Sequence, residues 1–567
     1  MVLFYARFEV HLRDPRRLQI CTCWVPNGKV NNIKTMNPTT KTLAATLIGA
    51  AFFVSPSFAQ GEAPTNTTLA PNRCVECHEK ETPGIVDHWR NSTHSALDVT
   101  CIDCHKANET DADGWNHEGD FIATIVTPRD CAACHEDEAD EFLHSHHANA
   151  GRIIHSLDNR LAEVAEGNRE PFNPHGLTPG REDFGIVNGL ASAQSGCWQC
   201  HGSKVAFEGK DGTLVTVDQL APDADGKPTN LAAVANIKHD AAGKPVFDFG
   251  TWPNTGIGRK NFDGTDGSCT ACHSRHDFSA RRARQPENCG KCHLGPDHPQ
   301  KEVYEESKHG IAYRDMKDQM NLDSESWVLV VDYNAAPTCA SCHMSGNKNN
   351  GGVISHDPGK RISWNNRPPA SVVMDTINGE VVKEADPAKR RAIIEAAGDD
   401  FDSWQAKRNR MKDACHNCHS PGYVENFYGQ YDEFINNYNQ KFAVPGLALM
   451  ASLKDNKVRT GPMFDEEIEW IWFYIWHHEG RRARHGASMM APDYSHWHGM
   501  FEVADRWYNE FLPLALEMCD EAEHLGNKAG ADVVRQFVAD IKARPEHQWA
   551  DVETNKVKEG RKFDYDK

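Results

Sequence analysis

Eight copies of one five-residue pattern, Cys-x-x-Cys-His, constrain this chain more than anything else in it. They open at Cys74, Cys101, Cys131, Cys197, Cys269, Cys289, Cys339 and Cys415. Their second cysteines are Cys77, Cys104, Cys134, Cys200, Cys272, Cys292, Cys342 and Cys418, and their histidines His78, His105, His135, His201, His273, His293, His343 and His419. Two thiols two residues apart can add to the two vinyl groups of one haem, and the histidine after them lies beneath the ring as proximal iron ligand. Paired cysteines also hold structural zinc, but zinc ribbons do not need the fifth-position histidine, and here every pair has it. The pattern predicts eight c-type haems and an interior built largely of porphyrin. A hydrophobic fraction of 39%, low for 567 residues, fits a core partly made of cofactor.

The motifs use 16 of the 19 cysteines and leave Cys21, Cys23 and Cys519. Residues 36–59 read as a secretory signal: Met36, the basic Lys41, an apolar run from Leu43 to Val54, then Ser57-Phe58-Ala59 as a small-x-small cleavage site. That run is short for a membrane span, and no other stretch approaches membrane length. The expectation is a periplasmic protein starting after Ala59, with 1–59 an upstream extension plus signal and no transmembrane segment in the mature chain. Cys519 is then the one unpaired thiol, read as buried on a helix. The net charge of −20 argues against nucleic acid and toward a basic or neutral electron-transfer partner.

The expected fold is mainly α: closely packed c-type haems over residues 60–425, then a C-terminal helical bundle over 426–567. Three motifs fall between Cys74 and His135, a dense cluster with room only for short helices. The segment from His201 to Cys269 carries Thr213-Leu-Val-Thr-Val217 among Asp/Gly turns, a small β-hairpin or loop excursion. Helices are expected at Pro387–Ala397, Asp402–Lys412, Gln430–Phe442, Asp465–His478, Trp497–Ala522 and Gly530–Ala543, where apolar positions recur at helical spacing. A Ser-x-His-small pattern at His94, His147 and His309 places one imidazole on a face that a flat ring can approach. These three are candidate distal ligands, with His276, His356, His477 or His478, and His496 or His498. The sequence does not pair them with motifs. Arg481, Arg482 and Arg484 are expected to answer haem propionates.

The motif spacing, together with three local segments, resembles the hydroxylamine oxidoreductase family, an octahaem group related to the pentahaem cytochrome c nitrite reductases. The resemblance covers essentially all of the mature chain. The first segment is Cys197-Trp198-Gln199-Cys200-His201. Nitrite reductases have Cys-Trp-x-Cys-Lys at this place; here the tryptophan is kept and the lysine is His201. The second, Cys289 to Pro299, contains Asp297-His298, which the resemblance places over an open iron. The third runs from His477 through Tyr494 to His498, and in the family its tyrosine is joined covalently to the catalytic haem of a neighbouring subunit in a trimer.

The resemblance therefore implies a homotrimer that oxidises hydroxylamine to nitric oxide or nitrite at a five-coordinate haem on the fourth motif. His201 would be its proximal ligand, Asp297 and His298 would take protons, and Tyr494 would crosslink the ring and bias it toward removing electrons. The other seven haems would pass electrons to a cytochrome acceptor. Hydrazine dehydrogenation, reduction of nitrite or hydroxylamine, and a conduit without enzyme activity are the alternatives.

Overall fold

The structure, a computed structural model, describes residues 73–155, 191–220, 222–223, 228–296, 298–384 and 386–550. The upstream extension, the signal segment 36–59 and Asp297 lie outside the described residues. The chain is mostly helical, with small two- and three-stranded sheets between the helices.

Short helices carry the motifs. Whole motifs sit within Arg73–Glu81, Cys101–His105, Cys197–His201 and Cys339–His343, and Cys415 ends the helix Trp404–Cys415. A threonine caps three motif helices, directly before the first cysteine at Thr100 and Thr338 and four residues before Cys131 at Thr127. The Thr100 and Thr127 amides donate to Asp103 and Asp130 at 2.7 Å, and Thr338 and Ser341 bond each other's amides. These side chains satisfy first-turn amides that have no helical partner, so the helix begins at the attachment site.

The hairpin expected around Thr213–Val217 forms as Leu214–Thr216 paired antiparallel with Ala206–Glu208, Phe207 opposite Val215. Its apolar face joins Val205, Leu220, Ile237 and Phe262, and closes on Ala112 and Ile125 from the stretch between motifs two and three. The excursion thus buries its own small core and returns to the haem-binding region.

The C-terminal region is a bundle around Tyr438, Phe442, Leu453, Ile468, Trp472, Trp507, Phe511, Val534 and Val538. The expected helix at Pro387–Ala397 has those bounds, and the last long helix is Lys528–Ala543. The expected Gln430–Phe442 and Trp497–Ala522 are not uniform helices. Widened π turns at Asn439–Ala443 and Trp507–Phe511 precede Val444–Asp455 and Leu512–His524, which carry Pro445 and Pro513 in their first turns. Proline lacks an amide hydrogen and clashes with the carbonyl four residues back, so a locally wider turn lets the helix run on. Cys519 is fully buried in Leu512–His524, its thiol donating to the Ala515 carbonyl at 3.1 Å. No described helix is long and apolar enough to cross a membrane.

Candidate functional site

A single cavity of about 2710 Å³ runs among the motifs, several times the roughly 300–1,000 Å³ of a small-molecule pocket. All eight motif histidines line it, with most of the motif thiols. The described residues fit haem. Ile85, Leu97, Ile362, Tyr423 and Met490 are large apolar side chains left open on this wall, Leu97 at 70% exposure, where a macrocycle would cover them. Arg152, Arg259, Arg275, Arg361 and Arg367 also line it and could answer propionates.

Six motif histidines face a second imidazole across the cavity. His78 faces His117 at 6.1 Å between ring centres, and His105 faces His276 at 6.4 Å. His135 faces His94 at 6.2 Å, and His273 faces His356 at 6.5 Å. His293 faces His147 at 6.1 Å, and His419 faces His309 at 6.0 Å. An ion held between two imidazoles by bonds of about 2 Å separates the ring centres by about 6 Å, so each pair has the gap that one haem iron fills. Burial pushes His147, His273 and His276 down to about 4 and His293 to about 3. These rings stay neutral at pH 7, which is the ligating form.

His94, His147, His276, His309 and His356 are thus each brought opposite a motif. His478 and His498 do not line the cavity. His478 lies among Phe473 and Tyr474 in the C-terminal bundle, ring centres 5.3 and 5.1 Å away. His498 is exposed between two carboxylates, Nδ1 2.9 Å from Glu502 and Nε2 3.6 Å from Asp493. His117 is a further distal ring that the Ser-x-His pattern does not contain. It ends the hairpin strand Gly114–His117, and Trp115 packed 4.8 Å from its ring is the local mark of its burial. Arg481, Arg482 and Arg484 do not line the cavity either. Arg484 is fully buried against the carbonyls of Gly480, Pro368 and Trp476, and Arg482 pairs with Glu502. Those arginines fasten the bundle, because their helix Gly480–Met489 turns that face inward.

Contacts between thiols give the order of the motifs. Cys74 meets Cys101, Cys131 meets Cys269, and Cys289 meets Cys339, joining motifs one to two, three to five and six to seven. Cys200 meets Cys292, so the fourth motif adjoins the sixth. The fourth motif is also clamped from behind. Ile257 and Gly258 donate to the carbonyls of Cys200 and His201 at 3.0 and 3.1 Å, and Thr255 donates to the Gln199 side chain at 2.9 Å. Gly202, at φ +80°, and Gly256 allow this approach: a Cβ on Gly256 would lie 2.0 Å from the Gly202 nitrogen. The excursion that forms the hairpin ends by fastening this motif.

Of the expected catalytic residues, His201 and His298 line the cavity. His298 Nδ1 is 2.8 Å from the Leu294 carbonyl, to which it donates, and that tautomer leaves the lone pair on Nε2. Tyr494 is half-buried off the cavity wall in the turn Pro492–Ser495, which is held by Glu306 accepting from the Asp493 amide at 2.5 Å. Burial, and then Glu302, push its phenol up, keeping it protonated at neutral pH.

Paired imidazoles spaced for iron, with attachment thiols beside them in one cavity, define a multihaem cytochrome c. Residues 258–395 match a family model described as seven times multi-haem cytochrome Cys-x-x-Cys-His. A relative from Kuenenia stuttgartiensis, named as a probable nitrite reductase-hydroxylamine oxidoreductase fusion protein, is 26% identical over 409 residues, 66% of this chain. The match spans 37% of that relative's length. A solved structure named as a hypothetical multiheme protein shares the fold at TM-score 0.59 and 23% identity, covering 79% of this chain and 96% of its own. A reducing HAO-like protein complex of Kuenenia stuttgartiensis aligns at TM-score 0.47 and 20% identity, over 80% of this chain and 86% of its own.

Proposed function

We propose that this chain is a periplasmic octahaem oxidoreductase that oxidises hydroxylamine to nitric oxide or nitrite at its fourth motif. When bound there, a c-type haem supplies the iron at which substrate binds and the redox chemistry that removes electrons. Cys197 and Cys200 would attach it and His201 would ligate its iron. His298, with Nδ1 committed to a carbonyl, offers Nε2 as the base that takes substrate protons, with Asp297 beside it in sequence. Cys292 touches Cys200, so the sixth motif would hold the neighbouring haem to which electrons pass, with the other six motifs wiring the chain to a cytochrome acceptor. Tyr494, joined to the fourth-motif haem of a neighbouring copy in a homotrimer, would favour the oxidative direction.

The observation that carries this reading is the contact between motifs four and six beside a cavity-lining His298. Its test is peptide mapping of the denatured holoprotein, with cyanide and hydroxylamine titration of the ferric form. A Tyr494 peptide travelling with the Cys197–His201 haem peptide, and high-spin iron that binds hydroxylamine, are expected. A free Tyr494 with substrate-binding iron turns the reading to nitrite or hydroxylamine reduction. Eight low-spin irons that bind nothing leave a conduit. Hydrazine turnover exceeding that of hydroxylamine moves the substrate.

A further inference from the structure

Of the imidazoles that face a motif histidine, all but His356 are aimed by backbone structure close to them in sequence. Ser92, Ser145 and Ser307 cap the turns that carry His94, His147 and His309, each hydroxyl accepting from the amide three residues on. His117 ends a hairpin strand, and His276 stands in a turn closed by the Phe278 amide on the Ser274 carbonyl at 3.0 Å. His356 lies in neither helix nor strand, between the short 3₁₀ turns Lys348–Asn350 and Pro358–Arg361. Its amide donates to the carboxylate of Glu141, 215 residues back along the chain, at 2.7 Å.

Glu141 spends its whole carboxylate on this one short segment. The oxygen that does not hold the His356 amide accepts from the Ser355 hydroxyl at 3.3 Å and from the Lys360 ammonium at 2.6 Å. The helix that bears it, Glu136–Leu143, begins at His135, the histidine of motif three. Motif seven anchors the segment on either side of His356. The Ser355 amide donates to the Met344 carbonyl at 2.8 Å, and Arg361 donates to the carbonyls of Cys342 and Ser345. Between those anchors the His356 amide has Glu141 as its acceptor. A bond from an amide to a carboxylate is stronger than one to a neutral group, and outer partners of this kind orient metal ligands.

We propose that Glu141 is the positioning residue of motif five. Its carboxylate holds the His356 backbone so that the ring, 6.5 Å from His273 between ring centres, reaches a haem iron on that motif. This holds whichever substrate the fourth motif serves. A ligand bond of about 2 Å tolerates little displacement of the ring, and an iron that loses its sixth ligand becomes five-coordinate and high-spin.

The test is electron paramagnetic resonance and visible spectroscopy of the ferric holoprotein. Glu141→Ala should add a high-spin signal of up to one iron among the eight motif haems. His356→Ala should add the same signal, and exogenous imidazole should abolish it in both variants. Glu141→Gln keeps an oxygen for the His356 amide and should stay as low-spin as the native protein. Glu141→Asp pulls the carboxylate back and should fall between the two, and it carries the test where the alanine variant fails to load its haems. The proposal is overturned by a His356→Ala variant that adds no high-spin iron, by alanine and aspartate variants that add none, or by a glutamine variant that matches alanine.

Discussion

The two ends of this molecule have opposite interiors. Between Arg73 and His419 the centre is a cavity, with apolar side chains such as Leu97 and Ile85 open on its wall. Beyond Tyr438 the centre is side chain, with Phe442, Leu449, Trp507 and Phe511 essentially without exposure. One region supplies ligands and thiols and borrows its core from the cofactor; the other closes on itself. Stability in the first should follow haem attachment and in the second side-chain packing.

Withholding haem attachment is the largest perturbation. Amide exchange in the apo chain should become fast across the motif helices, Cys101–His105 and Cys339–His343 among them, and remain slow in Lys528–Ala543. Equal loss of protection at both ends would erase the contrast. Next comes Trp507→Ala, which empties a fully buried site in the bundle and should cost about 3–5 kcal/mol. Denaturation followed by far-ultraviolet circular dichroism should show that loss, while the visible spectrum of the haems in the native protein stays unchanged.

The smallest effect is one of pH. His547 is 1% exposed, with Nδ1 2.6 Å from the Tyr508 hydroxyl, and burial pushes it down to about 4. The unfolded chain then binds a proton that the fold refuses between about pH 6.5 and 4, so stability is full above that window and falls as pH drops through it. His547→Phe should flatten this slope in urea melts monitored by bundle fluorescence. A slope that persists in the variant places the acid sensitivity among the haem-region histidines instead.

Much of this division was legible. The eight motifs are local patterns, and the long helical periods after Asp386 name the bundle, because both depend on neighbours within a few residues. The Ser-x-His pattern reached His94, His147 and His309 through a local cap: the Ser92, Ser145 and Ser307 hydroxyls each bond a backbone carbonyl three residues back. It could not reach His117, which comes from a strand, and periodicity misjudged the helices that widen ahead of Pro445 and Pro513.

The sequence by itself determined the attachment chemistry, the helical class and the segments that carry His298 and Tyr494, since bonding the two vinyl groups of one haem takes two thiols at a short spacing. Only the tertiary structure decided that His276 faces His105, that Cys200 touches Cys292, and that Gln300 meets His485. Such partners lie far apart along the chain, and no periodicity records which distant segments packing will bring within hydrogen-bonding range.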